Sequence, residues 1–128
     1  ETCATYVAEE PANTRGLSNN GGTVFIDAEQ GYGALRALDI HTGELEWEFT
    51  YPSPTFGGVM TTASGLVFAG DHEGNFMAFN AENGENLWHY QTGSRIWGAA
   101  AMTFMLDGLQ HVLIPSGTTL TAFALPSP

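Results

Sequence analysis

The chain of 128 residues contains no lysine and only three arginines, Arg15, Arg36 and Arg95, against 14 carboxylates, for a formal net charge of −11. A surface this acidic repels phosphate backbones and anionic headgroups, so neither nucleic acid nor a membrane surface is an expected partner. The carboxylates are dispersed rather than gathered in a tail, the pattern of a solvated surface. Cysteine is equally scarce. Cys3 stands alone, which excludes an intrachain disulfide and a thiolate metal cluster. No apolar run approaches the ~18 residues that would span a bilayer. The chain opens Glu1-Thr2-Cys3, without the basic and then apolar stretch of a signal peptide, so a secreted form is expected to carry that segment in a longer precursor.

What is present in quantity is glycine, 16 residues spread between apolar runs in the manner of turns. One eleven-residue phrase also occurs twice, 41 residues apart: Ala37-x-Asp39-x-x-Thr42-Gly43-x-x-x-Trp47 and Ala78-x-Asn80-x-x-Asn83-Gly84-x-x-x-Trp88. That period, with one tryptophan per copy, is the size of a four-stranded propeller blade. The physical logic is local. Alanine leaves room for an indole against the strand, Thr-Gly or Asn-Gly makes a turn that tolerates positive φ, and the tryptophan on the returning strand covers a neighbouring blade. Burying it is worth roughly 2–3 kcal/mol. Glu44, Glu46 and Glu48 alternate along the first such strand, where they are expected to face water and discourage edge-to-edge pairing.

Residues 57–90 read as one full blade: strands at Val59–Ala63, Leu66–Ala69, Asn75–Asn80 and Asn86–Tyr90, separated by Gly, Asn and Asp turns. Upstream, Ala34–Asp39 and Leu45–Phe49 match the third and fourth strands. Cys3–Val7 and Thr23–Ile26 are candidates for the first two, with Pro11 to Gly22 as a long polar loop. Downstream, Ala99–Phe104, His111–Pro115 and Leu120–Leu125 match the first three strands, with Asp107-Gly108 as a hairpin turn. The expected fold is therefore all-β, a partial propeller of two to three antiparallel blades. Residues 1–50 form a first and partly irregular blade, 51–92 a complete one, and 93–128 a last one lacking its fourth strand.

Most of the polar constellations have bland explanations. Asp71-His72-Glu73-Gly74-Asn75 gathers metal-ligand types but lacks the distal bidentate glutamate of a calcium loop and sits on a hairpin turn. His41, His89 and His111 are isolated along the chain. Glu44 and Glu46 lie two residues apart on one strand face, ~7 Å from each other, and cannot flank a glycosidic bond. Ser116 has no His/Asp arrangement to activate it. Gly21-Gly22 and Gly57-Gly58 lack the lysine and helix of a phosphate loop.

The repeated phrase resembles the tryptophan-docking motif of the quinoprotein dehydrogenases, which use pyrroloquinoline quinone (PQQ). Further stretches are similar to the C-terminal region of the alcohol and methanol dehydrogenase branch: Pro54-Thr55-Phe56-Gly57-Gly58-Val59, Gly65 through Gly74, Leu87 through Gly93, Met102-Thr103 to Asp107-Gly108, and Pro115-Ser116-Gly117 through Pro126. The resemblance implies an eight-bladed propeller of which this chain is the last part. It also implies PQQ on the axis with a calcium or lanthanide ion, and a carboxylate base oxidising an alcohol or sugar. The ion ligands, the catalytic aspartate and the vicinal cysteine pair of that family lie upstream, and no matching motif occurs here, so no catalytic or metal-ligating residue is assigned.

One piece of the cofactor site does map. Phe56 stands where methanol-oxidising members hold a tryptophan at the quinone edge, followed by Gly57 and Gly58, whose backbone would approach a planar ligand closely. Trp97, followed by Gly98, occupies the equivalent position one repeat later. The resemblance further implies a bacterial, periplasmic or secreted protein, inactive as this segment alone, with the remaining blades or copies of itself as partners. A different class remains open: PQQ-type repeats also build non-enzymatic scaffolds resembling outer-membrane assembly factors, which bind protein partners.

Overall fold

Turns cut the chain into short extended runs, and the computed structural model, which describes residues 4–8, 22–26 and 31–124, contains strands as its only regular elements among those residues. In chain order they are β1 (Ala4–Ala8), β2 (Gly22–Ile26), β3 (Gly33–Leu38), β4 (Leu45–Tyr51), β5 (Val59–Thr61), β6 (Leu66–Gly70), β7 (Asn75–Asn80), β8 (Asn86–Gln91), β9 (Met102–Leu106), β10 (Leu109–Ser116) and β11 (Thr119–Ala124). All pairings are antiparallel. They build a four-stranded meander β5-β6-β7-β8, a three-stranded sheet in the order β11-β10-β9, and two pairs, β3-β4 and β1-β2. The two strand candidates before residue 33 pair with each other, Ala4 opposite Ile26. Cys3, residues 11–21 of the expected polar loop, and Leu125 to Pro128 lie outside the described residues; Gly22 opens β2.

The meander is the middle layer. Period-2 alternation sends Met77 and Phe79 of β7 to one face, where they meet Leu35, Tyr51, Val67 and Ala69. It sends Phe76 to the other face, against Ile96, Ala101 and Ile114. Phe76 and Phe79 are fully buried, so β7 is covered on both faces by flanking sheets. Each such ring contributes roughly 1.5–3 kcal/mol by apolar burial. Burial also pushes the Tyr51 phenol up to about 12, with the negative charge of Asp71 adding to the effect.

The repeated phrase adopts one geometry twice. Ala37 pairs across the strands with Trp47 and Ala78 with Trp88, each pair followed by a β-bulge. In the first turn, Asp39 Oδ1 accepts from the amides of His41 and Thr42 at 2.8 and 2.7 Å. In the second, Asn80 Oδ1 accepts from Glu82 N at 2.8 Å. Gly43 and Gly84 both sit at φ 73°, the left-handed region the turn requires. Trp47 then docks as expected: its Nε1 donates to Ala81 O at 2.9 Å, and its ring lies against Gly84 in the turn of the next sheet. Trp88 packs edge-on to Phe123 with ring centroids 5.2 Å apart. Glu44, Glu46 and Glu48 are exposed, and Glu48 pairs with Arg36 across β3 and β4.

Most strand ends fall within one or two residues of expectation, and two of the differences have a visible hydrogen-bonding cause. β5 ends at Thr61 because Thr62 is recruited to the turn: its amide bonds Leu66 O and its hydroxyl accepts from Leu66 N. β9 begins at Met102 rather than Ala99, because Ala99 O is taken by the amide of Gly58, just before β5. Asp107 and Gly108, at φ 50° and 79°, form the expected tight hairpin.

Two predictions follow from the paired turns. A Cβ at Gly43 would meet nothing within 4 Å, whereas one at Gly84 would fall 2.6 Å from Cε3 of Trp47, at the same φ. Gly43→Ala is expected to cost about 1 kcal/mol from backbone strain alone, and Gly84→Ala about 2–4 kcal/mol once the clash is added. Equal losses in urea unfolding would contradict the docking. The second concerns pH. Hydrogen bonds from the Thr42 and His41 amides hold the Asp39 carboxyl below its ordinary 3.8. A depressed folded value means that the turn is supported above the unfolded value and loosens as pH falls through the folded one. The Thr42 amide resonance is expected to titrate below pH 3.8, while that of Glu82, bonded to an amide side chain, does not respond to Asn80.

Candidate functional site

The segment joining β4 to β5 enters the meander through a narrow passage. Thr55 Oγ1 donates to Gly70 O at 3.1 Å, and a Cβ on Gly57 would sit 2.8 Å from that same oxygen. Gly58 donates its amide to Ala99 O at 2.8 Å, and a Cβ there would meet the Ala100 Cβ at 2.5 Å. Gly57 is thus required by a neighbouring backbone carbonyl, and Gly58 by the methyl and backbone of Ala100. The Gly58 amide, which the resemblance would leave for a ligand, is spent on the neighbouring segment.

The residues between β8 and β9 are pinned as tightly. Ile96 is fully buried, its amide donates to Asp71 O at 3.1 Å, and its side chain fills the space a Cβ on Gly70 would need. Burial then alternates: Arg95 and Trp97 are exposed on either side of Ile96. Asp71 is itself a staple of the β6–β7 turn. It is buried, and its two carboxylate oxygens accept from the Asn75 amide at 2.7 Å and from Asn75 Nδ2 at 2.8 Å. The hairpin so formed presents His72.

These constraints bring the repeat-related aromatics together. Phe56 and Trp97 stand with ring centroids 4.7 Å apart and planes at 49°, 47% and 49% exposed respectively. His72 meets Trp97 edge-on at 5.1 Å, with its Nδ1 buried and without a hydrogen-bond partner among the described residues. Arg95 places its guanidinium carbon 5.3 Å from the Trp97 ring centroid. Phe56, Gly57, Gly58 and Trp97 were the sequence candidates. Gly57 and Gly58 build the passage, and Phe56 and Trp97 form the exposed surface. His72 and Arg95 were not singled out for it. The available signal for Arg95 was its place two residues before Trp97, which puts both on one side of an extended stretch; nothing local marked His72. Among the described residues, no group of three or more His, Cys, Asp or Glu side chains is arranged to hold a metal ion.

A family model described as outer membrane protein assembly factor BamB (PQQ_2) matches residues 7–124. The chain belongs to this family. It is similar to the quinoprotein alcohol dehydrogenase PedH of Pseudomonas putida, 38% identical over 110 residues, covering 80% of this chain and 18% of that protein. It is also 37% identical over 114 residues to a quinoprotein ethanol dehydrogenase of Pseudomonas aeruginosa, covering 88% of this chain and 18% of that one. Among solved structures, the quinohemoprotein alcohol dehydrogenase of Comamonas testosteroni matches with a TM-score of 0.65 at 34% identity over 77% of this chain and 15% of its own. A europium-containing methanol dehydrogenase matches with a TM-score of 0.70 at 31% identity over 91% of this chain and 21% of its own. The chain therefore spans about one fifth or less of these relatives' lengths. Its fold is a partial propeller of the quinoprotein dehydrogenase type.

The passage makes a clear prediction. Gly58→Ala is expected to lower stability by about 1–3 kcal/mol through overpacking against Ala100, and to shift the emission of Trp97 as the two segments part. Unchanged unfolding and unchanged emission would show that the contact between Gly58 and Ala100 is not constraining.

Proposed function

We propose that this chain is the C-terminal propeller segment of a PQQ-dependent dehydrogenase oxidising alcohols or sugars, and that Phe56 and Trp97 form part of one wall of the quinone pocket. The carrying observation is the pairing of the two repeat-related rings, half exposed and in mutual contact. A flat conjugated ligand fits such a surface, because each ring is held by the other and cannot collapse into the space the ligand would take. Bound PQQ would supply the oxidant, a quinone that takes up electrons and protons from the alcohol. The residues of this chain would exclude water from one side of the pocket and orient the ring system, Gly57 and Gly58 doing so by fixing the backbone beneath Phe56. A calcium or lanthanide ion is the expected companion, with its ligands supplied by other parts of the parent.

In this reading residues 1–50, 51–92 and 93–128 are three successive blade units. The remaining blades, or copies of the chain, cover the exposed apolar strand faces at Leu87, Trp88, Met102 and Met105. The dehydrogenase relatives are bacterial, and a periplasmic or secreted location accords with PQQ chemistry. The description of the matched family supports a second reading, a non-enzymatic scaffold for protein partners.

In the full-length protein, Phe56→Ala and Trp97→Ala are each expected to weaken PQQ binding about tenfold, as loss of an aromatic contact implies. Unaltered PQQ affinity in both variants would remove the wall assignment. The full-length protein should reduce a redox dye with short alcohols when given PQQ and calcium or a lanthanide, and the isolated chain should not. Failure of PQQ to quench the full-length protein's fluorescence in calcium would favour the scaffold.

A further inference from the structure

Arg95 is left unused by the quinone-wall reading. The ion pair among the described residues is that of Arg36 with Glu48, so Arg95 meets no carboxylate within ion-pair distance among those residues. Its backbone is held firmly, with Arg95 O accepting from the Gly117 amide at 3.2 Å and the next residue buried. Together with Trp97, Ala99, Pro115 and Gly117, it lines a recess of about 230 Å³. The other walls are a methyl group, a pyrrolidine ring, backbone and the indole. One side of the recess therefore carries a cation, and nothing else in its lining carries charge.

In a chain of net charge −11 an anion is repelled almost everywhere. A guanidinium with no carboxylate beside it among the described residues is a local exception. Its guanidinium carbon lies over the Trp97 ring, 5.3 Å from the centroid, and no ion pair engages it among the described residues, so its N–H fork is available for bidentate binding of a carboxylate. A phosphate dianion would need further cations that the recess lacks, whereas a single carboxylate is matched in charge and shape.

We propose that this recess binds a carboxylate, with Arg95 donating to both oxygens and Trp97 backing the guanidinium. The proposal rests on the quinone-dependent reading for its two sources of that group: a short hydroxy-acid substrate whose carbon chain lies along Ala99 and Pro115, or PQQ itself, a polycarboxylate.

The test uses the full-length protein and its Arg95→Gln and Arg95→Lys variants, with 4-hydroxybutanoate, butan-1-ol and PQQ as probes. Calorimetric binding is measured for 4-hydroxybutanoate in the cofactor-free protein and separately for PQQ. Loss of a charge-assisted bond predicts that Arg95→Gln weakens one of these by about tenfold or more, with Arg95→Lys recovering part of the loss. If 4-hydroxybutanoate binding weakens, the carboxylate is the substrate's, and the kcat/KM ratio of 4-hydroxybutanoate to butan-1-ol falls by about the same factor. If PQQ binding weakens while 4-hydroxybutanoate binding does not, the carboxylate is the cofactor's. If neither weakens, the proposal is overturned. A full-length protein that oxidises no alcohol with PQQ would defeat the quinone reading, while the calorimetry would still decide the carboxylate site. Arg95→Lys serves as the decisive variant should Arg95→Gln unfold at a lower temperature.

Discussion

The arrangement around the candidate site depends on a strip of irregular backbone, residues 94–101, that is hydrogen-bonded to both sheets it joins. Ile96 N reaches the β6–β7 turn through Asp71 O, Ala99 O receives the amide that precedes β5, and Arg95 O receives the amide of Gly117 in the β10–β11 turn. Ile96 is fully buried in one cluster with Phe76, Ala101 and Ile114. Ile96 and Asp71 are buried, so breaking the bond between them would leave polar groups with little water to turn to, at a cost of about 1–3 kcal/mol. Because the strip has no ladder of its own, its shape is decided by its neighbours. Trp97 and Arg95 inherit their positions from that arrangement.

Much of the fold is legible in the sequence. The pairing of alanine with tryptophan, the left-handed glycines and the Asx-type turns are local chemistry, and local chemistry shows in a short phrase. The meander over 57–90 was readable for the same reason. The start of β9 was not, since a backbone acceptor at Ala99 is claimed by a residue some forty positions earlier. The candidate site divides in the same way. Phe56 and Trp97 share a repeat position, so their meeting follows from the period. His72 arrives on a hairpin turn stapled by the buried Asp71, and no spacing rule connects it to Trp97.

Gly57 and Gly58 show how one residue type can answer to two demands. Read from sequence, a glycine pair beside an aromatic invites a planar ligand close to the backbone. In the structure, the same absence of Cβ lets the passage lie against Gly70 and Ala100. Phe56 and the glycine passage are mechanically coupled, since the passage fixes the backbone from which Phe56 projects.

The bond from the Trp47 indole to Ala81 O has a direction: a residue of one blade grips the turn of the following one. Contacts of this kind are head-to-tail rather than self-complementary, so they confer polarity on the whole arc. A head-to-tail contact has no built-in stopping point, and growth ends only when the accumulated rotation returns to the starting unit. Blade number is therefore a geometric property of the angle between successive sheets, and an arc short of closure exposes two chemically different ends.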